Sequence, residues 1–289
     1  MEQSYKRFLS LPPELSDPAK ARYAVLPVPY EGTVSYKPGT AGAPAAIIDA
    51  SAHVEKLDEE LLRECVAPGI ATLPAVRPAK TPEAMTARIR RRAEGLIRAG
   101  KFLLTLGGEH SIAAPIVAAM AEHHGEISVL QIDAHADLRD SYSGTRRSHG
   151  AVMRRILEIT PRIAQVGIRS FSKEELDACP KQVRNFITPR DIANDPRWIR
   201  RVLKLLGPKV YVTIDIDCFD PAYAPGTGTP EPGGLDWFQV TALLREVCAR
   251  RKVVGADIVE VRPIPPNHTT EVLAARLAYK IIACTQERL

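Results

Sequence analysis

The sequence lacks the features that mark secreted, membrane and thiolate-metal proteins. Its 289 residues include five cysteines, an odd number, and no two of them form a C-x-x-C pair. We therefore expect neither a disulfide framework nor a thiolate zinc site. No apolar run approaches the roughly 18 residues of a membrane helix, and the opening segment MEQSYKRFLSLPPELSDPAK has no apolar signal-peptide core. These absences predict a cytoplasmic protein that makes no membrane contact.

One basic stretch raises the question of nucleic-acid binding. The segment ARIRRRAEGLIR covers residues 87–98, but no aromatic residue lies between its arginines as a stacking platform would need. Its apolar residues Ile89, Ala93, Leu96 and Ile97 have the spacing of one helix face. With a net charge of only +5 for the whole chain, we interpret the stretch as a solvated helix face and expect no nucleic-acid partner.

Short runs rich in Val and Ile alternate with longer amphipathic segments. This alternation predicts an α/β protein in three layers, with a central, mostly parallel sheet covered by helices on both faces. No Pro/Gly/Ser-rich linker divides the chain, so we expect a single domain over residues 1–289. The predicted strands cover residues 22–30, 101–108, 127–133, 162–168, 209–217 and 252–261. The predicted helices cover residues 81–99, 112–124, 149–159, 173–180, 196–206, 236–251 and 269–285.

Polar clusters follow four of the predicted strands. They are GGEHS at 107–111, DAHAD at 133–137, DID at 215–217, and Glu260. In parallel α/β sheets, ligands bind beyond the carboxyl ends of the strands. We therefore expect these four clusters to meet in one site.

The residue types in these clusters predict a metal centre. In extended chain, alternate residues share a face, so Asp133, His135 and Asp137 would point the same way, as would Asp215 and Asp217. With His110, the set has two imidazoles and four carboxylates, which would repel one another without cations. Ligands of this kind suit Mn²⁺, with Fe²⁺, Co²⁺, Ni²⁺ or Zn²⁺ as alternatives. Six ligands are too many for one catalytic metal and suit two.

Each motif alone has a simpler explanation. A lone D-x-H-x-D can be a solvated loop, His110 can cap a helix or lie in the core, and DIDCFDP can be a strand end followed by a turn. All three follow predicted strands, however, and their coincidence favours the metal site.

The motifs resemble those of a known enzyme family. GGEHS, DAHAD and DIDCFDPAYAPGTGTPEPGG (215–234) resemble the three signatures of the ureohydrolases, the arginase and agmatinase superfamily. The segments PVPYEGTVSYKPGTAGAPAAIIDAS (27–51) and ADIVEVRP (256–263) extend the resemblance over nearly the whole chain. It implies an arginase-like fold, two Mn²⁺ per subunit, a small guanidino substrate, and a homo-oligomer that is a trimer or a hexamer.

The resemblance also implies a role for each site residue. One Mn²⁺ would be held by His110, Asp133, Asp137 and Asp215, and the other by His135, Asp133, Asp215 and Asp217. Asp137 would orient the metal-activated hydroxide, and His149 would carry protons to the leaving amine. Glu260 would bind the guanidinium, with the hydroxyl of Thr229 nearby.

The expected reaction converts agmatine to putrescine and urea, a step of polyamine biosynthesis. The loop LRDSYSGTRRSHG (138–150) is unlike the arginase loop, but it carries Arg139, Arg146 and Arg147. If these arginines faced the pocket, they would repel the ammonium of agmatine and favour 4-guanidinobutyrate; we expect them to be solvated or to contact other subunits. Aminopropylagmatine and arginine are further alternatives. A deacetylase-type metal amidohydrolase and a non-catalytic binding protein of the same fold are less favoured.

Some residues near the motifs receive no catalytic role. Glu109 replaces the commoner aspartate of Gly-Gly-Asp-His and is expected behind the ligands, where it would affect their orientation. Cys218 is interpreted as a small buried filler. We expect His53 and His268 outside the site, although either could lie at the pocket mouth.

Overall fold

The structure is a computed structural model that describes residues 6–286. Seven strands form one sheet in the order β4–β1–β5–β9–β8–β6–β7, and every neighbouring pair is parallel. The remaining two strands, β2 and β3, form a small antiparallel pair. The strands are β1 (Tyr23–Val28), β2 (Leu57–Asp58), β3 (Arg63–Glu64), β4 (Ile70–Thr72), β5 (Phe102–Gly107), β6 (Ser128–Ile132), β7 (Ile163–Val166), β8 (Lys209–Asp215) and β9 (Lys252–Val259).

Helices cover both faces of the sheet, which confirms the predicted three-layer α/β/α fold. Successive strand residues such as Leu103 and Leu104 enter two different cores, because neighbouring side chains along a strand point to opposite faces. The helices α2, α9, α10 and α11 pack on one face, and α3, α4 and α5 on the other. The α-helices are α1 (Pro13–Ser16), α2 (Ala43–Ser51), α3 (Pro82–Arg98), α4 (Ala113–His124), α5 (Val152–Leu157), α6 (Lys173–Ala178), α7 (Pro180–Val183), α8 (Pro189–Asn194), α9 (Trp198–Leu205), α10 (Trp237–Arg250) and α11 (Thr269–Cys284).

Several predicted elements need correction. The helix expected at 173–180 is two helices, α6 and α7, because Pro180 has no N–H to continue the first. The expected helix at 149–159 starts with a 3₁₀ turn, His149–Ala151, before α5. Sequence reasoning missed α2, α8 and the edge strand β4, which has only three residues.

The arginine-rich helix α3 has the predicted orientation. Ile89, Ala93 and Ile97 are buried, and Arg91 and Arg92 are exposed. Within residues 6–286, no helix combines the length and apolarity needed to cross a bilayer.

The sheet order places the four polar clusters side by side. The strands β5, β9, β8 and β6 are consecutive neighbours and run in the same direction. The segments that follow them therefore leave the sheet along one edge.

Candidate metal centre and substrate cavity

The structure brings the six predicted ligands together at this edge. One cluster holds His110, Asp133 and Asp137, and a second holds Asp133, His135 and Asp217, so that Asp133 belongs to both. The sixth residue, Asp215, places Oδ2 3.6 Å from Nδ1 of His110. The arrangement has the geometry of two adjacent cation sites that share a carboxylate.

The DAHAD segment converges on the site in a different way from the one expected. Its residues do not continue the extended strand, because β6 ends at Ile132. Asp137 has a φ of 53°, in the left-handed region that non-glycine residues rarely adopt. As a result, Asp137 faces His110, whereas His135 places Nδ1 2.9 Å from Oδ2 of Asp217. The turn thus sends the side chains of one short segment to both clusters.

Short hydrogen bonds fix the orientation of the carboxylates. Asp133 accepts bonds from the side-chain amide of Gln131 at 2.7 Å and from the backbone N–H of His135 at 2.6 Å. Asp217 accepts from the backbone N–H of Ala134 at 3.0 Å. Asp215 accepts from the backbone N–H of Asp217 at 2.9 Å. Three of these four donors are backbone N–H groups of the DAHAD and DID segments, so the backbone of the motifs orients most of the acidic groups.

His110 offers a free nitrogen to the first cluster. Its side chain is 1% exposed, and Nδ1 lies 3.1 Å from a carboxylate oxygen of both Asp133 and Asp137. Within the described residues, this nitrogen has no hydrogen-bond partner. A buried imidazole nitrogen that faces two carboxylates in this way is suited to a metal ion.

The electrostatics of the clusters also call for cations. Burial, followed by the nearby carboxylates of Asp137 and Asp217, raises the pKa of Asp133 to about 7. Burial and the same kind of repulsion raise the pKa of Asp215 well above its usual range. Burial lowers the pKa of His135, but the carboxylate of Asp217 outweighs it and raises that pKa to about 10. Each of these pKa shifts arises because the buried carboxylates carry more negative charge than the nearby positive groups balance. The donor set of imidazole and carboxylate, with no thiolate, fits divalent first-row ions.

A cavity of about 270 Å³ opens onto the clusters. Its wall includes His110, His135, Asp137 and Asp215 from the clusters, and the other predicted site residues His149, Thr229 and Glu260. It also includes Arg139, which corrects the expectation that all three loop arginines lie away from the pocket. Arg146 and Arg147 line a separate cavity.

Glu260 lies at the end of β9, beside the first cluster. Its φ of 61° is again in the left-handed region, and its Oε1 accepts the backbone N–H of His110 at 2.7 Å. Burial, followed by the carboxylate of Glu109, raises its pKa well above the usual range. Thr229 donates its hydroxyl to Asp217 at 3.3 Å. Strained backbone of this kind is concentrated at functional sites.

His149 is held by residues that sequence reasoning did not identify. Its Nδ1 lies 3.2 Å from Oγ1 of Thr33, and its Nε2 lies 3.2 Å from Oγ of Ser35. Burial lowers the pKa of this imidazole below its ordinary value. Thr33 and Ser35 lie in the segment 27–51, but no local pattern distinguishes them there.

Glu109 serves the loop that supports His149. It is fully buried, belongs to neither cluster, and accepts bonds from the backbone of Gly32 and from the backbone and hydroxyl of Thr33. The longer glutamate therefore orients a neighbouring loop, as expected of a residue behind the ligands.

His53, His268 and Cys218 lie outside the cavity wall. Within residues 6–286, neither His53 nor His268 lines the cavity. Cys218 is fully buried, and burial raises the pKa of its thiol well above the usual range. These positions agree with the interpretation of Cys218 as a filler.

Comparison with known proteins identifies the family. The sequence profile of the arginase family matches residues 21–284. The N(1)-aminopropylagmatine ureohydrolase of Synechocystis sp. is 36% identical over 91% of this chain and 89% of that protein. The agmatinase of Pyrococcus horikoshii is 35% identical over 91% of each. The crystal structure of the agmatine ureohydrolase of Thermoplasma volcanium superposes with a TM-score of 0.89 at 32% identity, covering 99% of this chain and 96% of that one. The chain therefore belongs to the arginase family and, within it, to the agmatinase-like ureohydrolases.

Proposed function

We propose that the protein hydrolyses agmatine to putrescine and urea with the help of two Mn²⁺ ions. The observation that carries the proposal is the placement of Glu260 beside two His/Asp clusters that share Asp133, on the wall of one cavity. A buried carboxylate suits a guanidinium, and the clusters suit the metals that such a hydrolysis needs.

The metal ions would be held by the six clustered side chains. His110, Asp133, Asp137 and Asp215 would hold one, and His135, Asp133, Asp215 and Asp217 the other. When bound, two such ions lower the pKa of water and supply a strong nucleophile at neutral pH. Carboxylate-rich ligands favour Mn²⁺, with Fe²⁺, Co²⁺, Ni²⁺ and Zn²⁺ as the alternatives.

Glu260 and Asp137 would position the reactants. A carboxylate matches the planar donors of a guanidinium, so Glu260 would hold the group that reacts. The hydroxyl of Thr229 lies on the same cavity wall and would add a polar contact. Asp137 also faces the cavity, where its free oxygen lone pairs would accept a hydrogen bond from the attacking water.

His149 would accept the proton that the attacking water releases and would pass it to the leaving amine. The Thr33 hydroxyl donates to Glu109 at 2.9 Å, so its oxygen can only accept from His149, from the backbone N–H at 3.1 Å and from Nδ1–H. The lone pair of Nε2 then carries the proton. The guanidinium and water become urea and an alkylammonium ion, which conserves charge.

The comparisons favour aminopropylagmatine as a second candidate substrate. Two proteins named for that activity, one from Synechocystis sp. and one from Thermus thermophilus, are 36% and 38% identical to this chain. Both substrates combine a guanidinium with a cationic tail, so the same head-group site serves either.

Arg139 favours a third candidate, 4-guanidinobutyrate. It places a guanidinium on the cavity wall, stacked 5.0 Å above the ring of Tyr142. This positive charge suits a carboxylate tail and opposes an ammonium tail.

A urea-release panel tests these proposals. Protein stripped by a chelator and then reloaded with Mn²⁺ is assayed with agmatine, aminopropylagmatine, 4-guanidinobutyrate and arginine. We expect urea from agmatine, its loss on chelation and its return with Mn²⁺. No urea from any of the four would overturn the proposal, and one metal ion per chain would favour the deacetylase-type alternative. Light scattering tests the trimer or hexamer that the family resemblance implies.

A further inference from the structure

We propose that a second cavity binds a small oxyanion, a molecule that bears a phosphate, sulfate or carboxylate group. This cavity has a volume of about 550 Å³ and lies between α3, the start of α4, α5 and the loop that leads to His149. It is separate from the metal cavity: none of its lining residues belongs to the two His/Asp clusters. We call it the arginine cavity.

Buried donors on its wall carry the inference. The side chain of Arg155 is 11% exposed, and its Nε and Nη1 atoms are buried without a hydrogen-bond partner within residues 6–286. Ser148 is fully buried, and its Oγ has no partner there either. Buried polar groups in native proteins are nearly always paired, and a charged donor without an acceptor is especially unfavourable. Both residues line the cavity, so an anion inside it can supply the missing acceptors.

The pairing of the charged groups on the wall indicates the sign of the ligand. Four arginines line the cavity, and two glutamates oppose them. Glu158 already pairs with Arg146 at 2.9 Å and with Arg155 at 3.3 Å. Glu83 lies 3.8 Å from Nε of Arg147. Three acids outside the lining also pair with these arginines: Asp140 with Arg146 and Arg155, and Glu94 and Glu122 with Arg90. All five acids are thus engaged, and the guanidinium donors left without an acceptor within residues 6–286, Nε and Nη1 of Arg155, point to an anionic ligand. The arginines are Arg90, Arg146, Arg147 and Arg155.

Because the donors lie deep in the cavity, a small free molecule suits the site better than a side chain of another protein. Ser148 is fully covered and Arg155 nearly so, whereas Arg146 and Arg147 at the rim are about half exposed. A small oxyanion is compact enough to enter between the rim arginines, and a small shift of the Arg155 side chain would bring its buried donors into contact with it. Guanidinium groups bind such anions through short, charge-assisted hydrogen bonds.

The arginine cavity also adjoins the metal cavity through two serines. Ser148 directly precedes His149, and Ser111 directly follows His110. A ligand that engages Ser148 would hold the backbone next to His149. Occupancy is therefore expected to change urea release through the position of His149, with no contact between the anion and the substrate.

Calorimetric titration of the Mn²⁺-loaded protein with sodium sulfate tests the inference. Chloride keeps the ionic strength constant, and sulfate does not precipitate manganese. We expect saturable binding of one sulfate per chain, weakened at least about 10-fold in Arg155→Met and also weakened in Ser148→Ala. Arg98→Met, an exposed site on α3 outside the cavity, is the charge-matched control and should bind like the unaltered protein.

Three results would overturn the inference. The first is no saturable binding to the unaltered protein. The second is unchanged affinity in both Arg155→Met and Ser148→Ala, which would place sulfate at the metals. The third combines no sulfate binding with an oligomer that dissociates in Arg155→Met. That result would mean that the donors bind a carboxylate of a second copy of the chain. Because Arg155 also pairs with Asp140, Ser148→Ala tests the site with that ion pair intact. Sulfate binding is measured without turnover, so a failure of this inference can be distinguished from a failure of the proposed reaction.

Discussion

Nε2 of His110 lies 2.8 Å from the hydroxyl oxygen of Thr213, and this contact fixes which nitrogen of the imidazole is free. The Thr213 hydroxyl donates its only hydrogen to Asp257 at 2.6 Å, and Asp257 also accepts from Tyr211. Thr213 can therefore only accept from His110, which must carry a proton on Nε2. Nδ1 is left to face the carboxylates of Asp133 and Asp137.

The environment of that nitrogen calls for a positive charge. Burial lowers the pKa of His110, but the contacts with Asp133 and Asp137 outweigh it and raise the pKa well above the ordinary value. Without a metal, a proton on Nδ1 would fill this role. A divalent ion held by His110 would supply that positive charge in place of the proton.

Thr213→Val is expected to weaken metal binding. Valine keeps the shape of the side chain but removes the acceptor that orients His110, and changes behind a ligand commonly reduce metal affinity by about 10- to 100-fold. Titration of stripped protein with Mn²⁺ measures the effect. Thr105→Val is the matched control, because Thr105 is equally buried and its hydroxyl has no partner within the described residues. Equal Mn²⁺ affinity in the two variants would contradict the role of Thr213.

His149→Ala is expected to keep both metals and lose most activity. Proton transfer by a positioned side chain commonly contributes about 10²- to 10⁴-fold to the rate. Because burial lowers the pKa of His149, the residue is uncharged at neutral pH, and the acidic limb of kcat/KM should fall below the ordinary histidine value. That limb should disappear in the variant. Metal loss measured by elemental analysis would count against the proton-carrying role, and His123→Ala, an exposed site, is the control.

Glu260→Gln is expected to impair substrate binding and turnover with metal content unchanged. Glutamine keeps the size of the side chain but cannot carry the negative charge that would pair with a bound guanidinium. Hydrogen bonds to charged groups contribute about 1.5–3 kcal/mol, which corresponds to a fall in kcat/KM of about 10- to 100-fold. Glu126→Gln, an exposed residue paired with Arg162, serves as the control. A variant that loses metal instead would place Glu260 in support of the clusters.

The central strands of the sheet were predictable because they are continuous apolar runs. Such runs mark strands buried on both faces, as in β6 and β8. The edge strand β4 was not predicted, because a strand of three residues is too short to show a periodicity. No helix was predicted at α2, although the proline near its start, Pro44, is compatible with the first turn of a helix. The single domain over 1–289 stays a prediction.

The site was predictable where its residues form local motifs and not where distant segments meet. The six clustered side chains come from three short motifs at the ends of β5, β6 and β8, which open onto the same edge of the sheet. Thr33 reaches His149 across 116 residues, and Thr213 reaches His110 across 103. Such pairs depend on tertiary packing, which no local spacing records. The left-handed backbone of Asp137 and Glu260 was likewise invisible, since neither residue type requires it.

Lys280→Met is expected to destabilise the fold. Lys280 is 2% exposed on α11 and contacts Asp58 at 2.8 Å, with Glu59 and Glu60 at 3.0 and 3.1 Å. Removing one partner of a buried ion pair commonly costs about 3–5 kcal/mol, because the other charge stays buried. Denaturant unfolding measures the change. Lys173→Met, in an exposed pair with Asp177, should change stability by less than about 0.5 kcal/mol.

The effect of Lys280→Met should depend on pH. Burial raises the pKa of Asp58, but Lys280 outweighs it and lowers that pKa below the ordinary value. The pair therefore stabilises the fold above about pH 4, the unfolded pKa of aspartate, and this stability is lost as pH falls through the folded pKa. The difference between the variant and the unaltered protein should shrink in acid. A constant difference from pH 7 to pH 3 would contradict the assignment to Asp58.

Arg139→Ala is expected to change the preference for the substrate tail. Arg139 lines the metal cavity, and its only described acidic partner is Glu174, at 3.4 Å, so much of its charge remains available. Its removal should lower kcat/KM for 4-guanidinobutyrate by about 10-fold and raise it for agmatine, because a charge-assisted hydrogen bond is lost in one case and a repulsion is relieved in the other. Arg184→Ala, an exposed site on the end of α7, is the control. An unchanged ratio between the two substrates would show that Arg139 does not contact the tail and would leave the cationic substrates favoured.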